Sequence, residues 1–308
     1  MTCIDIVMSV FNEEEFLPEM LDSLFSQTHT NWRLIVRDNG STDKSQKILI
    51  DRFANSPEKI TLIDASHNPL PVMQSFSEAL ERVSADYIMF ADGDDVWLNN
   101  KIEISLEKLQ NLESAKTASI PALVFTDLFI TNASLEVISQ SMWKYQSLNP
   151  KNTSLNRVIM HDVACGNTFI FNKPLLKKIL PIPPAGNMHD IWVSLIATCF
   201  GAIAFVPKPT IYYRQHGENT CGSGTIFSQL KKYLLNFDLI RKRISDRSAL
   251  ANSFKVRFSS ELSYKQTQLL TELAEISNLN FLKRRYTLLK HSFYMNSLIR
   301  NIGLFTFI

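Results

Sequence analysis

The sequence has little of what marks several protein classes. Only four of its 308 residues are cysteine: Cys3, Cys165, Cys199 and Cys221. No spacing among them forms a metal knuckle or a disulfide framework, so reduced thiols, as in a cytosolic protein, are expected. No apolar run reaches the roughly 18 residues of a spanning helix. Neither a basic leader nor a small-residue cleavage site precedes Glu13, Glu14 and Glu15. No signal peptide is therefore expected, and the expected location is the cytoplasm. A global charge excess is also missing, since 32 Lys+Arg stand against 30 Asp+Glu. Nothing global argues for nucleic acid as a partner.

The charge that is present is unevenly placed. From residue 225 onward, 14 Lys+Arg face 5 Asp+Glu, whereas residues 1–224 hold 18 against 25. The composition also changes near residue 222, where proline disappears. The expected organisation is a domain over 1–222 and a basic helical region over 223–308. That region carries Lys231, Lys232, Arg241, Lys242, Arg243, Lys283, Arg284 and Arg285 among many Leu, Ile and Phe. Such helices suit either an anionic membrane surface, here the inner face of the plasma membrane, or a second subunit in a homodimer.

The first half alternates short apolar runs with amphipathic segments. Strands are expected at Ile4–Val10, Trp32–Arg37, Ile60–Asp64 and Tyr87–Phe90, with helices at Phe16–Gln27, Lys44–Phe53 and Val72–Val83 between them. This pattern predicts an α/β fold with a mostly parallel sheet flanked by helices. Further strands are expected at Leu123–Ile130, Thr168–Asn172 and Ile211–Arg214. A short helix begins at Pro174 and another covers Ile191–Phe200. Three helical stretches follow at about 226–248, 252–278 and 281–299.

Ligands of such sheets bind outside the carboxyl ends of the strands. Those ends carry Phe11-Asn12-Glu13, Asp38-Asn39-Gly40 and Asp92-Gly93-Asp94-Asp95. Three carboxylates within four residues repel one another unless a cation or hydrogen-bond donors compensate. Hard oxygen ligands of this kind suit Mg²⁺ or Mn²⁺, and Gly93 permits the sharp bend. The same residues also make an ordinary acidic turn. Asp38 can take a base or ribose, and Glu14, although suited to a first helical turn, can reach the cleft. Asp190 precedes an apolar helix, so it reads either as a helix cap or as a general base.

Taken in order, residues 9–43 and 90–97 resemble the family 2 glycosyltransferases, among them the rhamnosyltransferase-like enzymes of bacterial surface polysaccharides. The later segments Gly166-Asn167-Thr168-Phe169, His189-Asp190-Ile191-Trp192 and Tyr213-Arg214-Gln215-His216 with Asn219 fit the same pattern. The resemblance covers about 3–222 and implies a GT-A type, Rossmann-like sheet with a helical C-terminal extension. It implies an inverting, metal-dependent transfer from a UDP- or dTDP-linked sugar to a glycan or lipid-linked acceptor, as in O-antigen or capsule synthesis. By resemblance, Phe11, Asn12 and Asp38 hold the base, Asp92 faces the ribose, and Asp94 with His216 attends the metal. Asp95 supports Asp94, and Asp190 is the base. His189 and Trp192 accompany it at the substrate. The chain departs from the family at Asn68-Pro69-Leu70-Pro71 and Ser75-Phe76, where N-x-G and N-F are usual. The alternatives are a nucleotidyltransferase acting on sugar phosphates and a non-catalytic nucleotide-sugar-binding protein. The acidic first loop argues against a triphosphate and therefore against the former.

Overall fold

The computed structural model describes residues 2–63, 69–116, 119–182, 189–216 and 237–308. The expectations at Asp64, Asn68, Asn219 and 226–236 lie outside these residues.

The strands are β1 (Ile4–Val10), β2 (Trp32–Asp38), β3 (Ile60–Ile63), β4 (Tyr87–Ala91), β5 (Val96–Trp97), β6 (Ala122–Thr131), β7 (Val137–Ser139), β8 (Ile170–Asn172) and β9 (Ala202–Arg214). The helices are α1 (Leu17–Phe25), α2 (Ser45–Asn55), α3 (Val72–Leu80), α4 (Lys101–Ala115), α5 (Met142–Tyr145), α6 (Leu155–Val158), α7 (Lys173–Ile179), α8 (His189–Phe200), α9 (Phe237–Arg257), α10 (Tyr264–Ala274), α11 (Phe281–Lys290) and α12 (Leu298–Phe307).

The sheet runs β3-β2-β1-β4-β8-β6-β9-β5, with β7 on β6. The pairs among β3, β2, β1 and β4 are parallel, as is β6 with β9. Short β8 is antiparallel to both β4 and β6 and joins the two halves. β1 and β4 have almost every side chain buried, which is the signature of parallel strands covered on both faces. Helix α1 starts with Pro18 in its first turn, where a missing N–H costs nothing. Pro174 does the same for α7, and the Asn172 side chain accepts the Leu175 N–H at 3.1 Å.

Three elements differ from expectation. β9 begins nine residues before Ile211, although Pro207 and Pro209 lie inside it. The prolines coincide with a register slip, where Thr126 pairs with Val206 and Asp127 with Pro209, so the missing donors fall at an irregularity. The stretch 252–278 is broken after Arg257, and α10 restarts at a capping box of Ser263 and Gln266. The stretch 281–299 is interrupted between α11 and α12, where Ser292 has φ 51°.

The chain divides into two compact units. The first comprises Met1–Met142, Ala164–Ile182 and Met188–Gly222 and contains the whole sheet. The second comprises Trp143–Val163, Pro183–Asn187 and Ser223–Ile308. Inside it, Ile240, Ile244, Ala251 and Phe254 form the buried face of α9. Asn156 donates to the carbonyls of His291 and Ser292 at 3.0 and 3.1 Å, and Asn296 to that of His161 at 2.9 Å. Among the described residues no helix is long and apolar enough to cross a membrane.

Candidate active site

The parallel register aligns Val10 with Asp38 and Met8 with Ala91. The three polar strand ends are therefore neighbours, as the sheet rule requires. A short antiparallel pairing adds a fourth segment. β5 follows the acidic run directly, and Val96 and Trp97 pair with Tyr212 and Ile211. This delivers Arg214 and His216 to the acidic cluster.

Carboxylate oxygens of Asp92, Asp94 and Asp95 lie within 4.8 Å of one another. Asp95 is fully buried; its Oδ2 accepts from Asn167 Nδ2 at 2.6 Å and its Oδ1 from the Arg214 N–H at 3.4 Å. Burial and the charges of Asp94 and Asp92 still hold its carboxyl well above the usual range. Asp92 is pushed up to about 7 by burial, then by Asp94 and Asp190. His216 Nε2 lies 2.9 Å from Asp94 Oδ2, and the His216 ring packs on Phe16 with centroids 4.7 Å apart. The Arg214 Nε donates to the Asp94 carbonyl at 2.9 Å, and its guanidinium also reaches Glu19, the Ala133 carbonyl and the face of Phe16.

The first loop contributes differently from expectation. Asn12 adopts φ 55°, which asparagine tolerates better than most residues. Its Oδ1 accepts the Thr42 N–H at 2.8 Å and its own N–H donates to Ser41 Oγ at 3.0 Å. The Glu14 carboxylate accepts the Lys44 N–H at 2.8 Å, and the Glu14 N–H donates to Asp43 at 2.9 Å. Asn12 and Glu14 thus latch two loops together. Glu13, not Glu14, turns to the cluster. Its Oε2 is buried without a hydrogen-bond partner among the described residues. Burial, then Asp94, Asp92 and Asp43, hold its carboxyl well above the usual range. A Cβ at Gly93 would stand 1.7 Å from that oxygen, so the absence of a side chain at Gly93 makes room for Glu13.

Asp38 is buried; Oδ1 accepts the Ser41 N–H at 3.3 Å, and Oδ2 has no hydrogen-bond partner among the described residues. Phe11 follows Val10, the cross-strand partner of Asp38, and is 54% exposed, an aromatic face open to a ligand. Asn39 grips Leu70 through both backbone groups, with Nδ2 to its carbonyl at 2.8 Å and Oδ1 from its N–H at 2.9 Å. Leu70 thereby holds the departing Pro69–Pro71 segment next to Asn39 at the end of β2.

Asp190 sits in the first turn of α8, with Oδ1 accepting the Ile191 N–H at 2.7 Å, and its charge reaches Asp92. His189 is buried between Phe76, stacked at 4.1 Å, and Phe90, edge-on at 4.9 Å. Burial holds its imidazole below the ordinary value, so the ring is neutral. A Cβ at Gly166 would lie 2.9 Å from His189 Nε2, which links the two motif segments. Trp192 does not line the cleft: it is fully buried and its indole N–H donates to the Ile179 carbonyl at 3.2 Å. The apolar face of α8 takes it inward.

The periodicity did not point to Lys101. Its ammonium is fully buried, 4.4 Å from the Trp97 ring, without a hydrogen-bond partner among the described residues. Burial pulls it down to about 7, opposed by the charge of Asp95. The sequence signal was a lysine opening a helix straight after the acidic run.

A donor set of clustered carboxylates fits a hard divalent cation, and a cation there would reverse the repulsion that raises Asp92 and Asp95.

The description "Glycosyl transferase family 2" matches residues 5–180. An uncharacterised glycosyltransferase of Nostoc sp. is 24% identical over 280 residues, covering 86% of this chain and 82% of that protein. The Escherichia coli UDP-Glc:alpha-D-GlcNAc-diphosphoundecaprenol beta-1,3-glucosyltransferase WfgD is 27% identical over 106 residues, covering 34% of this chain and 40% of its own. The chain spans less than half of several other curated relatives, 46% of Bacillus subtilis EpsE among them. Residues 1–349 of S. aureus TarS, solved with UDP-GlcNAc, superpose with a TM-score of 0.55 at 16% identity, covering 93% of this chain and 84% of that one. The Pyrobaculum calidifontis mannosyltransferase PcManGT, solved with GDP-Man and Mn²⁺, gives 0.52 at 13% identity, covering 98% and 87%. With the family description matching more than half of its length, the chain belongs to glycosyl transferase family 2 and is a glycosyltransferase of GT-A type fold.

Proposed function

We propose that the protein transfers a sugar, with inversion, from a UDP- or dTDP-linked donor to a glycan or lipid-linked acceptor in the synthesis of a bacterial surface polysaccharide. The observation that carries this reading is the carboxylate cluster of Asp92, Asp94 and Asp95, with oxygens within 4.8 Å, on strand ends shared with Asp38, whose Oδ2 has no hydrogen-bond partner among the described residues. The relatives' names support the pathway class, and the UDP-GlcNAc and GDP-Man of the structural neighbours support the donor class.

In this reading Phe11 and Asp38 hold the base, with Asn12 fixing the loop between them. Asp92 takes the ribose, and Asp94 with His216 would hold Mn²⁺ or Mg²⁺, with Asp95 and Arg214 as the anchor behind. Held there, a divalent cation would supply Lewis-acid neutralisation of the leaving nucleoside diphosphate. Asp190 takes the proton of the acceptor hydroxyl. That oxygen bonds to the anomeric carbon as the bond from this carbon to the phosphate oxygen breaks, so one displacement inverts the centre. The Ile191 N–H orients the Asp190 carboxylate for this role. His189 and Trp192 keep the wall behind Asp190 rigid and dry rather than touching the sugar. Membrane contact and self-association, the two expectations for the C-terminal helices, belong to the second unit and are independent of this chemistry.

The test is calorimetric titration of UDP and dTDP with Mn²⁺ and with chelator, for the wild type, Asp94→Ala and Asp190→Asn. The expected result is metal-dependent binding that Asp94→Ala abolishes and Asp190→Asn retains, with transfer lost in both. Binding that is indifferent to metal and to Asp94 would overturn the assignment of the cluster.

A further inference from the structure

The last two helices of the second unit carry an unusual surface. Residues 281–308 hold five Lys+Arg and no Asp or Glu. On α11, Leu282, Tyr286 and Leu289 follow one another at i, i+4 and i+7 and are 74%, 66% and 56% exposed. On α12, Leu298 and Ile302 are one turn apart and 76% and 56% exposed. Each helix therefore has a second apolar stripe besides the one it buries through Leu288 or Leu304. The two helices are tied together: Arg285 of α11 donates to the carbonyls of Ile308 and Thr306 at the end of α12, at 2.5 and 3.2 Å. Phe281, 61% exposed, lies beneath the Arg285 guanidinium at 3.2 Å.

Lys290 pairs with Glu272 at 2.6 Å. Lys283, Arg284 and Arg285 form no ion pair with a carboxylate side chain among the described residues; the two arginines bind backbone carbonyls instead. Large apolar side chains left in water beside such cations mark a contact surface. The charge identifies the kind of partner. In a two-fold dimer built on this face, identical stripes would meet, bringing the same basic run against itself without one acidic side chain between them. A nucleic acid would answer the charge but leave Leu282, Leu289, Leu298 and Ile302 unburied. An anionic bilayer answers both, taking the apolar stripes at the acyl boundary and the cations at the phosphates.

We propose that α11 and α12 form a docking surface for an anionic lipid bilayer. The surface acts in the absence of donor or metal, so its test is separate from the transferase reading. Full-length protein is floated with phosphatidylcholine vesicles and with phosphatidylcholine/phosphatidylglycerol vesicles, at low and at high salt. The expected result is binding to the anionic vesicles alone, weakened by salt. Leu282→Asn with Leu298→Asn removes exposed side chains only, and Lys283→Glu reverses one charge; each variant lowers binding by about ten-fold or more. Circular dichroism and Mn²⁺-dependent UDP titration serve as folding controls. No flotation of wild-type protein, or flotation indifferent to these substitutions, would overturn the proposal. So would light scattering showing a dimer that the same substitutions dissociate, because a second copy would then cover the face.

Discussion

At the scale of single residues, the site is a concentration of negative charge that the protein only partly answers. Asp92 shows this in its protonation. Its ordinary value is 3.8 and its folded value is about 7, through burial and through Asp94 and Asp190. The folded state keeps a proton there that the unfolded chain has lost, so stability falls as pH rises through this window. In metal-free protein the thermal midpoint is expected to drop between about pH 4 and about pH 7, and Asp92→Asn to flatten that slope. Saturating Mn²⁺ should restore the midpoint at the higher pH. A midpoint that rises with pH in both proteins would contradict the assignment. Arg214 is the opposite case, a buried cation whose geometry is fully used. It reaches the Asp94 and Ala133 carbonyls, Glu19 and the Phe16 ring at once. A lysine cannot reproduce that fork. Arg214→Lys should cost about 2 kcal/mol or more in urea denaturation.

At the scale of elements, the parallel half was legible because its strands are buried on both faces and its helices keep an apolar period. The convergence of Phe11, Asp38 and Asp92 followed from that alone. The pairing of β5 with β9 was not legible, because it joins residues more than a hundred positions apart and β5 spans only Val96–Trp97. The resemblance implied a metal role for His216, but the pairing that carries it to Asp94 has no local signature. Glu13 and Glu14 could not be told apart because the positive φ of Asn12 decides which one turns inward. Helix α4 was obscured because Lys101, Ser105 and Glu113 lie on its buried face and blur the period. Trp192 was misjudged because it neighbours Asp190 in sequence, although helical geometry points it about 200° around the axis. The break before α10 was visible in principle as Ser263-x-x-Gln266. Ser263→Ala removes that cap and should lower stability by about 1 kcal/mol, read as a lower denaturation midpoint with the fold unchanged.

At the scale of the whole molecule, the sequence suggested a cut near 222, but the second unit also takes Trp143–Val163 from the middle of the chain. Val158, Ile159, Met160 and Val163 of that segment are buried, and Asn156 and His161 are held by residues beyond 290. A chain ending at Gly222 would keep this segment and lose its partners. Such a truncation should be poorly soluble or melt well below the full chain, whereas one that melts like the full chain would show that the segment needs no cover. The order of the strands has another consequence, for synthesis on the ribosome. β1 to β4 are complete once residue 91 has emerged, yet the free side of β4 is paired by β8, which arrives only with Ile170–Asn172. For some eighty residues of translation, the nascent parallel half carries an open backbone edge, the kind of surface that recruits stray strands. Yield of the protein in a host should therefore depend on how quickly that middle stretch is translated.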